Sequence, residues 1–153
     1  MKRRSAFTPT RRECLAAGLV FGVSVLSRPA CADDELAASV RAFTGGAPVR
    51  EGKVKLEVAE LVENGNTVPI TVSVASPMTP EAHVKTIAVF NERNPQRDVA
   101  VFHLGPRAGR ATVATRIRLA TSQRLVAIAR LSDDTWWSHS VEVIVTIAGC
   151  VES

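Results

Sequence analysis

The residues beyond position 32 predict an all-β fold: an immunoglobulin-like β-sandwich of about seven strands with a short N-terminal helix. Three observations carry this reading. Apolar and polar side chains alternate with a period of two along several short runs. Clusters of turn-forming residues interrupt those runs at the roughly 8–12-residue spacing of sandwich folds. Helical spacing recurs only once after position 32, at the start.

The helix is predicted over Asp33 to Phe43. Asp33 or Asp34 can cap it, Leu36, Val40 and Phe43 fall on one face, and Thr44-Gly45-Gly46 ends it. Lys53 to Val58 then alternates as a half-buried strand does. Glu63-Asn64-Gly65-Asn66 is a turn, rich in residues that tolerate positive φ. Thr67 to Val74 resumes the alternation, with Pro69 marking an edge or the start of pairing. Ser76 to Pro80 is a loop, in which the apolar Pro77-Met78 suggests a contact with a partner. Further strands are predicted over Val84–Phe90, Val99–Leu104, Ala111–Leu119, Leu125–Leu131 and Trp137–Ile147. The turns between them are built on Asn94-Pro95, Gly105-Pro106, Thr121-Ser122 and Asp133-Asp134.

Residues 1–32 read as an export signal. Six basic residues against one acidic residue precede or flank an apolar stretch from Leu15 to Leu26, shorter than the roughly 20 residues that span a bilayer. Ala30 and Ala32 give a cleavage pattern of small residues. Thr10, Arg11, Arg12 and Leu15 indicate the twin-arginine route, with Cys14 where that motif prefers an aromatic. The segment holds six of the 19 basic residues and one of the 15 acidic ones. Its removal leaves 13 and 14, and the formal charge moves from +4 to −1. A nucleic-acid partner or an anionic membrane surface is therefore not indicated, and no membrane anchor is expected. Removal also takes Cys14 and Cys31, so Cys150 is left alone and no internal disulfide is available. The remaining 121 residues suffice for one domain with its own core.

Most candidate chemistry has a plainer reading. His83, His103 and His139 lie in separate elements with no close pair of the kind zinc sites carry, so they read as surface or packing histidines. Ser122 and Ser138 lack nucleophile-elbow glycines. The Arg110–Arg118 segment fits an anion site or, more simply, the solvated face of a sheet. Trp136-Trp137 fits a stacking platform or, better, one buried and one interfacial tryptophan. No cofactor motif is present.

Cys150 differs from these. If the last strand ends near Ile147, only Ala148 and Gly149 separate the thiol from the body, a reach of about 10 Å. A thiol on a slim tether can enter a partner's cleft, as a covalent carrier requires. It can equally form a static intermolecular disulfide, act as a redox sensor, or be a tail cysteine that is fortuitously free.

Two segments then carry a resemblance: "FTGGAPVREGKVKLEVAELVENGNTVPITVSVASPMTPEAHVKTIAVFNERNP" and "VATRIRLATSQRLVAIARLSD". With the export signal, they make the chain resemble the SoxY family, substrate carriers of periplasmic thiosulfate oxidation. Glu63-Asn64-Gly65-Asn66-Thr67-Val68-Pro69 and Ser76-Pro77-Met78 are its more specific motifs. The resemblance implies an immunoglobulin-like, periplasmic, non-enzymatic carrier without cofactor or metal. It implies a heterodimer with a SoxZ-like β-sandwich, a heme-containing loading enzyme, and a sulfur-compound hydrolase. It makes Cys150 the covalent attachment point on an arm of residues 148–153, following a domain of residues 33–147. The arm departs from the family's Gly-Gly-Cys-Gly-Gly. Ala148, Gly149, Val151, Glu152 and Ser153 surround the cysteine, and the chain looks like a variant group with an Ala-Ala-Cys-Ile-Glu-like arm. Val151 is stiffer and broader than glycine. Glu152 and the terminal carboxylate disfavour a neighbouring thiolate.

Overall fold

A computed structural model describes residues 31–147; residues 1–30, most of the predicted export signal, and residues 148–153, the predicted arm, lie outside the described residues. One helix, α1 (Cys31–Phe43), precedes nine strands: β1 (Val49–Glu51), β2 (Val54–Glu57), β3 (Leu61–Asn64), β4 (Val68–Val74), β5 (Val84–Asn91), β6 (Asp98–His103), β7 (Thr112–Ile117), β8 (Gln123–Leu131) and β9 (Trp136–Ile147). A 3-10 turn, Pro106–Ala108, links β6 to β7. The larger sheet has the order β1-β9-β8-β5-β6, with β3 also on β9, and the smaller sheet is β2-β4-β7. This is the expected sandwich, with two strands more than the alternation predicted.

The two extra strands arise where the chain changes sheets. β1 pairs in parallel with Trp136–Ser138 of β9. The chain leaves at Gly52 and Lys53, both at positive φ, and runs as β2 against β4 in the other sheet. It returns as β3, parallel to Ile144–Ile147 of β9. His139 occupies the gap between β1 and β3: its Nδ1 accepts the Leu56 N–H at 3.1 Å. Pro69 also has a simple explanation. β2 pairs only with Thr71–Val74, so β4 is still an edge at Pro69 on the side away from β7.

Alternating side chains supply a core between the sheets, including Val68, Val72, Ile87, Val89, Leu119, Leu125 and Val143, each at most 1% exposed. The strand-by-strand alternation continues through β5. Ile87 and Val89 face that core, while Ala88 and Phe90 face a second cluster with Leu36, Ile128 and Trp136 beneath α1. The helix therefore covers the outer face of the larger sheet, where Phe43 meets Phe90 and Trp136 edge-on at 5.4 and 5.8 Å between ring centres. Its end is set by Gly45 and Gly46 at positive φ, with the Gly46 N–H donating to the Arg41 carbonyl. Met78 corrects the expected partner contact. Its φ of 54° turns the side chain inward, where it is 6% exposed and its sulfur accepts the Val84 N–H. Of the Pro77-Met78 pair, Pro77 stays exposed.

Candidate functional site

The candidate site is the end of β9, because the strand delivers the chain to the cysteine arm. Trp137, Val141, Val143 and Val145 face the core between the sheets, which fixes the strand's register. Beyond Val143 the neighbour β8 has run out, since its pairing begins at Gln123 opposite Val143. Ser122 continues the ladder with its side chain: Oγ accepts the Val145 N–H at 2.9 Å and lies 3.4 Å from the Val145 carbonyl. On the other edge the Glu60 carbonyl accepts the Ile144 N–H at 2.7 Å. Thr146 Oγ1 donates to the Glu63 carbonyl at 3.0 Å, and the Gly65 N–H donates to the Ile147 carbonyl at 2.9 Å.

The turn that makes the last contact is itself anchored. Asn64 Oδ1 accepts the Asn66 N–H at 2.9 Å, closing the turn on its own side chain. The buried Gly65 accepts the Leu119 N–H at 2.8 Å through its carbonyl, and Leu119 is wholly buried. Ser122 is held in a similar way. Its neighbour Gln123, 2% exposed, donates to the Thr121 carbonyl and to Asn94 Oδ1, and accepts the Arg93 N–H. Exposed apolar side chains, Leu61, Ile144 and Ile147, stand close to this strand end, beside the exposed Glu60 and Glu63.

Cys150 and the other arm residues, Ala148, Gly149, Val151, Glu152 and Ser153, lie outside the described residues. The remaining candidates do not converge. His83 Nδ1 lies 3.2 Å from the Thr79 carbonyl, His103 Nδ1 lies 3.4 Å from Thr86 Oγ1, and His139 is engaged by Leu56. Among the described residues no three His, Cys, Asp or Glu side chains group as metal ligands would. Arg116 and Arg118 are exposed, and Arg116 is paired with Pro69 at the solvated surface of the smaller sheet. Trp136 is buried under α1. Trp137 lies half-buried against Gly52, with the Lys53 ammonium 4.7 Å from its ring centre. A groove of about 620 Å³ between α1 and β8 is lined mostly by aliphatic side chains with Arg41 and Arg124, and has no acid–base or nucleophile pair. The contacts that sequence reasoning missed are those of Ser122, Gln123 and Asn94. Their only signals were two turns, Asn94-Pro95 and Thr121-Ser122, read simply as breaks between strands.

A family model described as the sulfur oxidation protein SoxY matches residues 40–150. No curated protein matches the chain. Among solved structures it is similar to the sulfur carrier protein SoxY from Chlorobium limicola f thiosulfatophilum, with 28% identity, a TM-score of 0.64, and coverage of 75% of this chain and 99% of that one. It also shares its fold with superoxide reductase (neelaredoxin) from Ignicoccus hospitalis, at 21% identity and a TM-score of 0.55, over 61% of this chain and 80% of that one. A putative superoxide reductase from Thermotoga maritima is similar at 24% identity and a TM-score of 0.53, covering 67% and 89%. At those two identities the likeness is one of fold alone. The family match runs through the whole sandwich and reaches Cys150, and the chain belongs to the SoxY family of sulfur-oxidation carrier proteins.

Proposed function

We propose that this protein is a periplasmic, non-catalytic carrier that holds a sulfur-oxidation intermediate covalently on Cys150. One observation carries the reading: β9 is held by both neighbours as far as Val145 and by the Gly65 turn at Ile147, three residues before the thiol. A rigid body thus passes directly into a short segment that bears the single cysteine left after residue 32. The domain is residues 33–147, the arm is residues 148–153, and residues 1–32 direct export by the twin-arginine route.

Loading on thiosulfate joins two sulfurs. The Cys150 thiolate and thiosulfate form Cys–S–S–SO3⁻, and the two electrons released pass to a heme-containing partner. Hydrolysis by a second partner takes one water, releases sulfate and two protons, and leaves a persulfide anion on the cysteine. Glu152, two residues on in sequence, opposes thiolate formation at Cys150. The loading partner therefore supplies the cation that stabilises the thiolate. A SoxZ-like β-sandwich completes the carrier as a heterodimer. The exposed Leu61, Ile144 and Ile147 offer the partner enzymes an apolar rim around the arm's root.

The test is intact mass of the mature protein taken from its own periplasm after growth on thiosulfate, before and after reductant. A reducible sulfur-bearing adduct on Cys150, absent in Cys150→Ser with an unchanged thermal transition, is the expected result. A bare thiol, or only a stable disulfide to another protein, would replace the carrier with an assembly module.

A further inference from the structure

We propose that the flank formed by β6 and β7 is a docking edge for a partner protein, which adds to β7 a strand alternating acidic with apolar side chains. Both sheets end on this flank, the larger at β6 and the smaller at β7. The opposite flank is covered, because the chain crosses between the sheets there as β1, β2 and β3, and His139 takes the outward Leu56 N–H. Among the described residues no strand covers the outer side of β6 or β7. The Val74 N–H donates to the Ala111 carbonyl at 2.9 Å, so the odd-numbered residues of β7 turn their backbone groups to β4. Thr112, Ala114 and Arg116 therefore present theirs to the open edge. On β6 the Leu104 N–H donates to the Lys85 carbonyl at 2.9 Å, which leaves Val101 and His103 facing outward. Val101 is 39% exposed, and Val99, Phe102, Leu104 and Val113 are only partly buried at the two edges.

Charge selects the occupant. Residues 99–132 hold six arginines and no aspartate, glutamate or lysine. Two of the six, Arg124 and Arg130, are engaged by carboxylates within the fold. Arg107, Arg110, Arg116 and Arg118 are exposed, lie on β7 or next to its ends, and have no carboxylate at ion-pair distance among the described residues. Lysine is the usual guard of an exposed edge, whereas arginine is enriched at protein interfaces. A strand added to β7 sets every second side chain beside Arg116 and the others on the apolar side with Val113. Carboxylates suit the first set and aliphatic groups the second. A second copy of this chain is the wrong occupant, since its own β7 brings arginines against arginines. β8 and β5 separate this edge from β9, so the inference does not depend on the carrier reading.

The experiment follows amide shifts of the chain beginning at Asp33, carrying Cys150→Ser, as a capped peptide is added. The peptide alternates glutamate with valine over about six residues, an ordinary strand length. Its glutamine counterpart and a short DNA duplex serve as comparisons. Shifts are expected at Thr112, Ala114 and Arg116, and the glutamine peptide binds more weakly. Arg116→Glu weakens binding about tenfold, the factor carried by one charge-assisted hydrogen bond. Salt at about 1 M, where the screening length is ~3 Å, weakens it as well. Ala114→Pro removes one outward N–H, leaves every charge in place, and abolishes binding. The docking edge is overturned if the peptide shifts no β7 amide, if the glutamine peptide binds equally, or if Ala114→Pro binds as wild type does. A duplex that moves the same amides more strongly would make the flank a general polyanion site instead. If Ala114→Pro loses its thermal transition, the exposed Arg116→Glu still decides.

Discussion

Single residues in this fold often act through atoms that sequence patterns do not display. Met78 is an apolar residue in a loop of prolines and hydroxyl side chains, and its destination depends on one backbone angle of 54°. Nothing in residue type announces that angle, so a core residue was indistinguishable from a docking residue. The turn after β8 is easier to reason about. Asp133 accepts from the Thr135 hydroxyl and N–H, which hold its carboxyl below the usual range. Asp134 is lowered chiefly by the Lys85 ammonium at 2.8 Å, with Arg130 adding to it. Both carboxyls are depressed, so the stabilisation they give the turn is present above the ordinary carboxylate range. It is lost as pH falls through the lowered values. In a carbon-detected titration both aspartates should titrate below peptide values. Lys85→Met should raise Asp134 and leave Asp133 where it was; an unmoved Asp134 would refute the assignment.

At the scale of elements, several strands were readable because a period of two survives over six or more residues, as in β4 and β7. β1 and β3 were not, because three or four residues are too few to show a period. Their conformation comes from the edge of β9, which both of them meet in parallel, β3 after the excursion of β2 into the other sheet. The same limit hid the contacts at the end of β9. Cys150 was conspicuous as a lone thiol near the end of the sequence, whereas Ser122 is a common turn residue whose partner is 23 positions away. The helix was readable, yet its task was not: Leu36, Val40 and Phe43 show a face but not which sheet surface it covers. That packing can be weighed. Leu36→Ala should cost about 2–5 kcal/mol in urea unfolding, the range for large-to-small changes at buried sites. A loss below about 0.5 kcal/mol would mean that α1 is only loosely laid on the sheet.

For the whole molecule, the absence of a second cysteine beyond residue 32 has a direct thermodynamic meaning. Sandwiches of this type commonly tie their sheets with a disulfide; here aliphatic packing between the sheets and the aromatic cluster under α1 perform that task. The chain beginning at Asp33 should therefore have the same thermal midpoint with and without reductant. A midpoint that falls on reduction would show that a covalent link contributes to the folded state.

The position of β9 in the order of strands also governs how the protein can be made. It is the last strand to be synthesised, and it pairs with β1, β3 and β8, which all precede it. While the chain is still growing, β5, β6 and β8 can pair with one another but β1 and β3 have no strand of the sheet to meet, so the sandwich closes only once β9 has been made. A nascent chain interrupted before Trp136 has no route to the native state. Completion of the fold thus acts as a proofreading step on synthesis: a molecule that folds has already been translated almost to its cysteine.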